Sequence, residues 1–258
     1  MAKSERLEKD PSEKRVINKT DLQVGKATER GQIHRDYLAH CLRWAHISQW
    51  ASKLKNKNPD ICILDLGCGK EVPLLRVTYV NKIHPRYYAA VDCRKLDFEE
   101  LHQEMVPNFE HEFIQCDFAQ SVPVCKYGQW DLVVFLEALE HNSKEAGIKI
   151  LENIRTVMNP STYFFLSTPC FNGEAAANHV YEWGYDELKT QLESMFTVEA
   201  SYGTFASQRD ILPKMSEHEV AIFDKLRDYY DSNTLSVMLS PMFPEASRNA
   251  IWRLRLKA

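Results

Sequence analysis

The chain has 258 residues, 44% hydrophobic and 26% charged, with a net charge of −4. That suits one α/β domain with added segments, and the mild acidity gives no general pull toward nucleic acid, although a local basic groove stays possible. No apolar run reaches membrane-spanning length and no secretory leader opens the chain, so a cytoplasmic protein with no membrane partner is expected.

Seven cysteines, at Cys41, Cys62, Cys68, Cys93, Cys116, Cys125 and Cys170, form no CxxC pair. Reduced thiols and no zinc site are expected from them. Residues 1–31 are charged and lack apolar periodicity, so they read as a flexible arm, leaving 32–258 as the folded domain. From His34 to Leu54 the apolar residues Tyr37, Leu38, Cys41, Leu42, Ala45 and Ile47 recur at helical spacing.

The stretch Ile61–Leu75, ICILDLGCGKEVPLL, organises the rest of the chain. An apolar run ends in Asp65, a turn carries Gly67 and Gly69, and apolar residues resume at Val72. This pattern predicts a buried parallel strand, a tight glycine turn and the start of a helix, whose free N–H groups suit an anionic ligand. A second strand, Tyr87–Val91, ends in Asp92, near the spacing at which an acid holds a ribose diol. A dinucleotide fingerprint would place a third glycine where Val72 stands.

With Asp65-Leu-Gly67-Cys68-Gly69 and Asp92, the chain resembles the class I S-adenosylmethionine-dependent methyltransferases. The resemblance implies S-adenosylmethionine as cofactor. The glycine turn, Cys68 included, would pack on its methionine part, and Asp92 with neighbouring Cys93 would hold the ribose. In that family a helix before the turn often closes over the cofactor, which makes Tyr37, Arg43 and His46 candidates for the methionine end.

Further strand and helix patterns alternate. Leu74–His84 reads as a helix, Phe98–Met105 as another, and His111–Cys116 as strand three. Strand three runs into Asp117-Phe118, which by the resemblance would contact adenine; the plainer reading of Asp117 is a turn aspartate. Trp130–Leu136 is strand four, Ala146–Met158 a helix stopped at Asn159-Pro160, and Tyr163–Ser167 strand five. Tyr185–Met195 reads as a helix, Phe196–Phe205 as strand six, and Ile251–Leu256 as an alternating edge strand. Val220–Tyr230 and Leu235–Leu239 read as helical, so 207–247 is expected to be a helical insertion between strands six and seven. The alternation predicts a doubly wound, Rossmann-like sheet, and the resemblance implies seven strands in the order 3-2-1-4-5-7-6.

Strand four runs into Glu137-Ala-Leu-Glu140-His141, and His179-Val-Tyr-Glu182-Trp183 follows strand five. Ligands bind beyond the carboxyl ends of parallel strands, so both segments belong at the site. Clustered carboxylates need a reason to sit together, and a bound cation is one. The pair of motifs resembles the ubiquinone-biosynthesis O-methyltransferases and the small-RNA 3′-terminal 2′-O-methyltransferases. In the latter, two glutamates and two histidines bind a divalent metal that engages vicinal ribose hydroxyls.

By that resemblance Glu137, Glu140, His141 and His179 are candidate metal ligands and catalytic residues. Without metal, Glu137 would contact the cofactor and a histidine would act as base. A third reading makes the acids helix-terminal and structural. The expected activity is O-methylation of a small-molecule or sugar hydroxyl. The alternatives are 2′-O-methylation of an RNA end, or a cofactor-binding scaffold without turnover.

Overall fold

The computed structural model describes residues 35–95, 107–173 and 175–257, with Arg35, Asp36 and Tyr37 described by backbone only. The expected arm 1–31 and the expected helix Phe98–Met105 lie outside the described residues.

The long α1 (Arg35–Lys57) comes first. Then β1 (Cys62–Leu66), α2 (Pro73–Val80) and β2 (Tyr87–Asp92) form the first crossover unit. Strands β3 (Glu110–Gln115) and β4 (Leu132–Leu136) come next, then α3 (Lys144–Thr156) and β5 (Tyr163–Pro169). The chain continues through α4 (Tyr185–Met195) into β6 (Phe196–Phe205). Between β6 and β7 (Asn249–Leu256) lie α5 (Gln208–Ile211), α6 (Glu217–Leu226) and α7 (Ser232–Leu239), which form the expected helical insertion.

The seven strands run in the order β3-β2-β1-β4-β5-β7-β6, as the resemblance implies. The first five are parallel, and β7 is antiparallel to both β5 and β6. One expectation fails: β7 is not an edge strand. It is hydrogen-bonded on both sides, and β6 takes the edge. The alternation in IWRLRL reports a half-wet end of an internal strand, where Arg253 and Arg255 reach outward over Trp50 and Tyr163. Strand five also runs two residues past Ser167, because Thr168 and Pro169 pair with Ala250 and Asn249 of β7.

Apolar side chains cover both sheet faces, as a doubly wound sheet requires. Ile150, Leu151 and Ile154 of α3, with Leu188 and Leu192 of α4, pack on one face. Ile47 and Ala51 of α1, with Leu74 and Leu75 of α2, pack on the other. α3 begins at Ser143, whose hydroxyl accepts the Ala146 N–H at 3.2 Å.

The insertion is seated on β6 at Gly203. A Cβ there would lie 1.9 Å from Ser247 Oγ and 2.3 Å from the Ser240 carbonyl oxygen. Backbone cannot give way as a side chain can, so Gly203→Ala should cost about 1–3 kcal/mol of stability. A urea melt unchanged by that substitution would show the seat to be loose.

Candidate active site

The carboxyl ends of β1, β2, β4 and β5 share one edge of the sheet, and β7 starts there with Asn249. Asp65 is inside β1, 4% exposed, and accepts the Tyr88 hydroxyl at 2.6 Å. Burial, added to by Asp92 and partly opposed by the Tyr88 bond, pushes its carboxyl up to about 7.

Gly67 (φ +66°) and Gly69 (φ +70°) take the left-handed turn that glycine permits. A Cβ on Gly67 would meet Ala138 Cβ at 2.7 Å, so the segment after β4 lies directly on this turn. Among the described residues, a Cβ on Gly69 would meet nothing within 4 Å, which leaves an open cradle above the backbone. Cys68 lies buried under the turn, and its N–H donates to Val91 O at 3.1 Å. Asp92, 2% exposed, ends β2. It accepts the Gly69 N–H at 3.1 Å and both Nε and Nη2 of Arg94, at 2.8 and 2.9 Å. Burial would raise its carboxyl, yet Arg94 and the Gly69 N–H hold it below the usual range.

The α1 candidates separate. Tyr37 lies in α1, but its side chain is outside the described residues. His46 faces the sheet, edge-on to Phe165 and Tyr202 with ring centroids 5.8 and 5.5 Å away. Arg43 reaches the strand ends. It is 3% exposed, donates to His40 Nδ1 at 3.0 Å, and faces Glu137 Oε1 at 3.6 Å. Its Nε is buried with no hydrogen-bond partner among the described residues.

Glu137 stands just after β4 with φ +52°, a strained setting for a side chain this large. Ser167 Oγ and Asn249 Nδ2 donate to its two oxygens, each at 2.7 Å. Burial would raise its carboxyl, but Arg43, His40 and these two donors hold it low. Glu140, 2% exposed, goes the other way: burial and then the Glu137 charge raise it well above the usual range. Two acids three residues apart are thus pushed in opposite directions, the pattern that divides acid–base roles.

His141, on a short 3-10 turn Leu139–His141, donates from Nδ1 to the Asn178 carbonyl at 3.2 Å. That bond fixes Nε2 as the ring's lone-pair atom. His179 is fixed the same way, with Nδ1 on Glu182 Oε1. Glu182 is also gripped by Arg248 and by the Ala176 N–H. Burial would raise it, but His179 and Arg248 hold its carboxyl at about 2. The two imidazoles meet edge to face at 5.2 Å, and ligand atoms of Glu140, His141 and His179 lie within 4.8 Å of one another. His179 therefore reaches the E-x-x-E-H turn from a separate loop. Glu137, which the spacing groups with these three, is engaged with Arg43, Ser167 and Asn249 instead.

Asp117 is exposed after β3, and its oxygens accept from Ala119 N–H and Gln120 Nε2 at 3.0 and 2.9 Å. Phe118 packs into the core against Phe135. Arg94, Ser167 and Asn249 were not candidates in the sequence. Only Arg94, two residues after a strand-end acid, left a local signal there.

Residues 37–205 match the family model described as a methyltransferase domain. Among solved structures, one similar fold is the 1,6-didemethyltoxoflavin-N1-methyltransferase of Burkholderia thailandensis, holding S-adenosylhomocysteine. It is 17% identical, over 81% of this chain and 76% of that one, with a TM-score of 0.50. The magnesium protoporphyrin IX methyltransferase of Synechocystis PCC 6803, holding S-adenosylmethionine, is 14% identical over 86% of this chain and 81% of that one, TM-score 0.53. A small RNA methyltransferase is 12% identical, with a TM-score of 0.54; the match takes in 81% of this chain and 25% of that longer one. At such identities the likeness speaks for the fold alone. No curated protein matches the chain.

Proposed function

The chain belongs to the family of methyltransferase domains, and we propose that, as a class I S-adenosylmethionine-dependent enzyme, it methylates a hydroxyl of a small molecule or sugar, with a divalent metal at Glu140, His141 and His179. The observation that carries this reading is the convergence of those three side chains, from two loops, at the sheet edge that bears the glycine turn.

The residues fit the cofactor. The space above Gly69 admits a ligand close to backbone, and Asp92 stands at the end of β2, where the ribose would come. The orphaned Nε of Arg43 wants an anion, and the cofactor's methionine carboxylate is one. When bound, S-adenosylmethionine supplies an electrophilic methyl group on its sulfonium. The protein's part is to align the acceptor oxygen and to remove its proton. Arg43, held by Glu137 and His40, would fix the amino-acid end.

The three-residue cluster also fits a metal ion. Its donors are one carboxylate and two imidazoles whose other nitrogens are tied to Asn178 and Glu182, the supporting pattern metal-ligating histidines need. Mixed oxygen and nitrogen donors favour manganese, iron, cobalt or zinc over magnesium. Such an ion would lower the pKa of an acceptor hydroxyl. A ribose end, with neighbouring hydroxyls, suits the same cluster. The insertion mixes Arg209, Lys214, Lys225 and Arg227 with Asp210, Glu217, Glu219, Asp224 and Asp228, which gives a long RNA no basic track.

Calorimetry tests the cofactor half. S-adenosylmethionine and S-adenosylhomocysteine should bind with roughly micromolar Kd, and NAD should not. Arg43→Met should weaken S-adenosylhomocysteine about tenfold or more, since a charge-assisted bond is lost. It should leave 5′-methylthioadenosine, which lacks the amino-acid end, nearly unaffected. Equal losses for both ligands would mean that Arg43 only holds α1 in place.

A further inference from the structure

Asp92 is the acid the cofactor reading assigns to the ribose, and its carboxylate is already saturated. Oδ1 accepts from Arg94 Nε at 2.8 Å and from the Arg94 backbone N–H at 3.0 Å. Oδ2 accepts from Arg94 Nη2 at 2.9 Å and from the Gly69 N–H at 3.1 Å. The two backbone donors belong to the turn and to the strand end, so they can stay with any ligand. The guanidinium cannot. Its fork sits across both oxygens, which is how a vicinal diol would also bind, one hydroxyl to each.

The two partners differ in what holds them elsewhere. Asp92 is 2% exposed and cannot follow Arg94 outward. The Arg94 side chain is 47% exposed, so it can swing into water at little cost. Any carboxylate this buried needs a partner, and Arg94 is the one the sequence supplies two residues away.

We propose that Arg94 is an internal competitor for the ribose site: its side chain and the ribose diol of the cofactor bind Asp92 in turn, and the exchange sets cofactor affinity. This rests on the cofactor reading above. Arg94 thereby protects a buried acid from standing uncompensated, at the expense of some affinity. Because the guanidinium is about half in solvent, salt weakens the pair from its side. S-adenosylhomocysteine carries no net charge, so salt acts mainly on the competitor, and its binding should tighten as salt rises.

The experiment is calorimetric titration of S-adenosylhomocysteine into the full chain at low and high salt, with Arg94→Ala, Arg94→Gln and Asp92→Asn, and with Arg94→Ala combined with Asp92→Asn. Arg94→Ala and Arg94→Gln should bind about three- to tenfold more tightly than the original protein, and the gain with salt should disappear. In the Asp92→Asn background the Arg94→Ala gain should be absent, because the competition has no object. Equal or weaker binding by both Arg94 variants, with the original protein still binding, overturns the competition and leaves the cofactor reading intact. Absence of binding in the original protein and in every variant overturns both.

Discussion

Asp65→Asn should raise folding stability at pH 8 by about 2–4 kcal/mol and change it little at pH 4. The folded carboxyl sits at about 7, against 3.8 for a free aspartate. Between those values the folded chain keeps a proton that the unfolded chain has shed. The native state is therefore penalised progressively as pH rises from about 4 to about 7, and the penalty stays above that window. Asparagine is neutral throughout and still offers a carbonyl oxygen to the Tyr88 hydroxyl. Urea unfolding at pH 4, 6 and 8 reads the difference, and the other titrating groups cancel between the two proteins. A gain of equal size at all three pH values would mean that packing, not ionisation, is responsible. The same poise has a functional reading. A cationic ligand over the glycine turn favours the ionised acid, so cofactor binding near pH 7 should release protons, visible as a buffer-dependent binding enthalpy.

The sheet was legible because its signals are local. A short apolar run such as LVVFL (Leu132–Leu136), bounded by turn signals, reads as a buried parallel strand, and the glycines of D-L-G-C-G mark a strand-to-helix turn. Strand order came with the resemblance built on those motifs. The alternation in β7 reads as an edge strand because alternation tells which residues are wet, not whether a neighbour lies on each side. The site shows the same division. Glu140, His141 and His179 could be grouped because strands four and five open on one crevice.

Glu137 joins them by its place in E-x-x-E-H and by the resemblance, and neither sees the left-handed backbone that delivers its carboxylate to Arg43, Ser167 and Asn249. Asn249 lies 112 residues away in the chain, and no periodicity relates the two. The resemblance likewise puts Arg43 and His46 on one footing. Only the packing of α1 on β5 and β6 sends His46 to the sheet face and Arg43 to the strand ends.

Glu140→Ala should abolish the response of turnover to metal and lower turnover by about 10²–10⁴-fold, with S-adenosylhomocysteine affinity within about twofold of the original. The split comes from geometry. Glu140 accepts from Thr168 and faces His141 and His179, whereas Arg43, Asp92 and the glycine turn form the proposed cofactor side. Chelation should reproduce the loss, and manganese, cobalt, iron or zinc should reverse it. Glu182→Gln tests the support beneath the cluster. It removes the charge that His179 Nδ1 and Arg248 share, and it should weaken metal affinity about 10–100-fold with the three ligands still present. The competing mechanism gives a different pattern. If a histidine acts alone as general base, chelator leaves turnover intact, His141→Ala or His179→Ala still removes it, and the pH–rate profile of the original protein rises through the histidine's pKa. Metal titration of the original protein and of Glu182→Gln, read by calorimetry without any methyl acceptor, separates the two before the acceptor is known. Binding that is tight in the first and weaker in the second supports a supported metal centre; no binding in either leaves the histidine base.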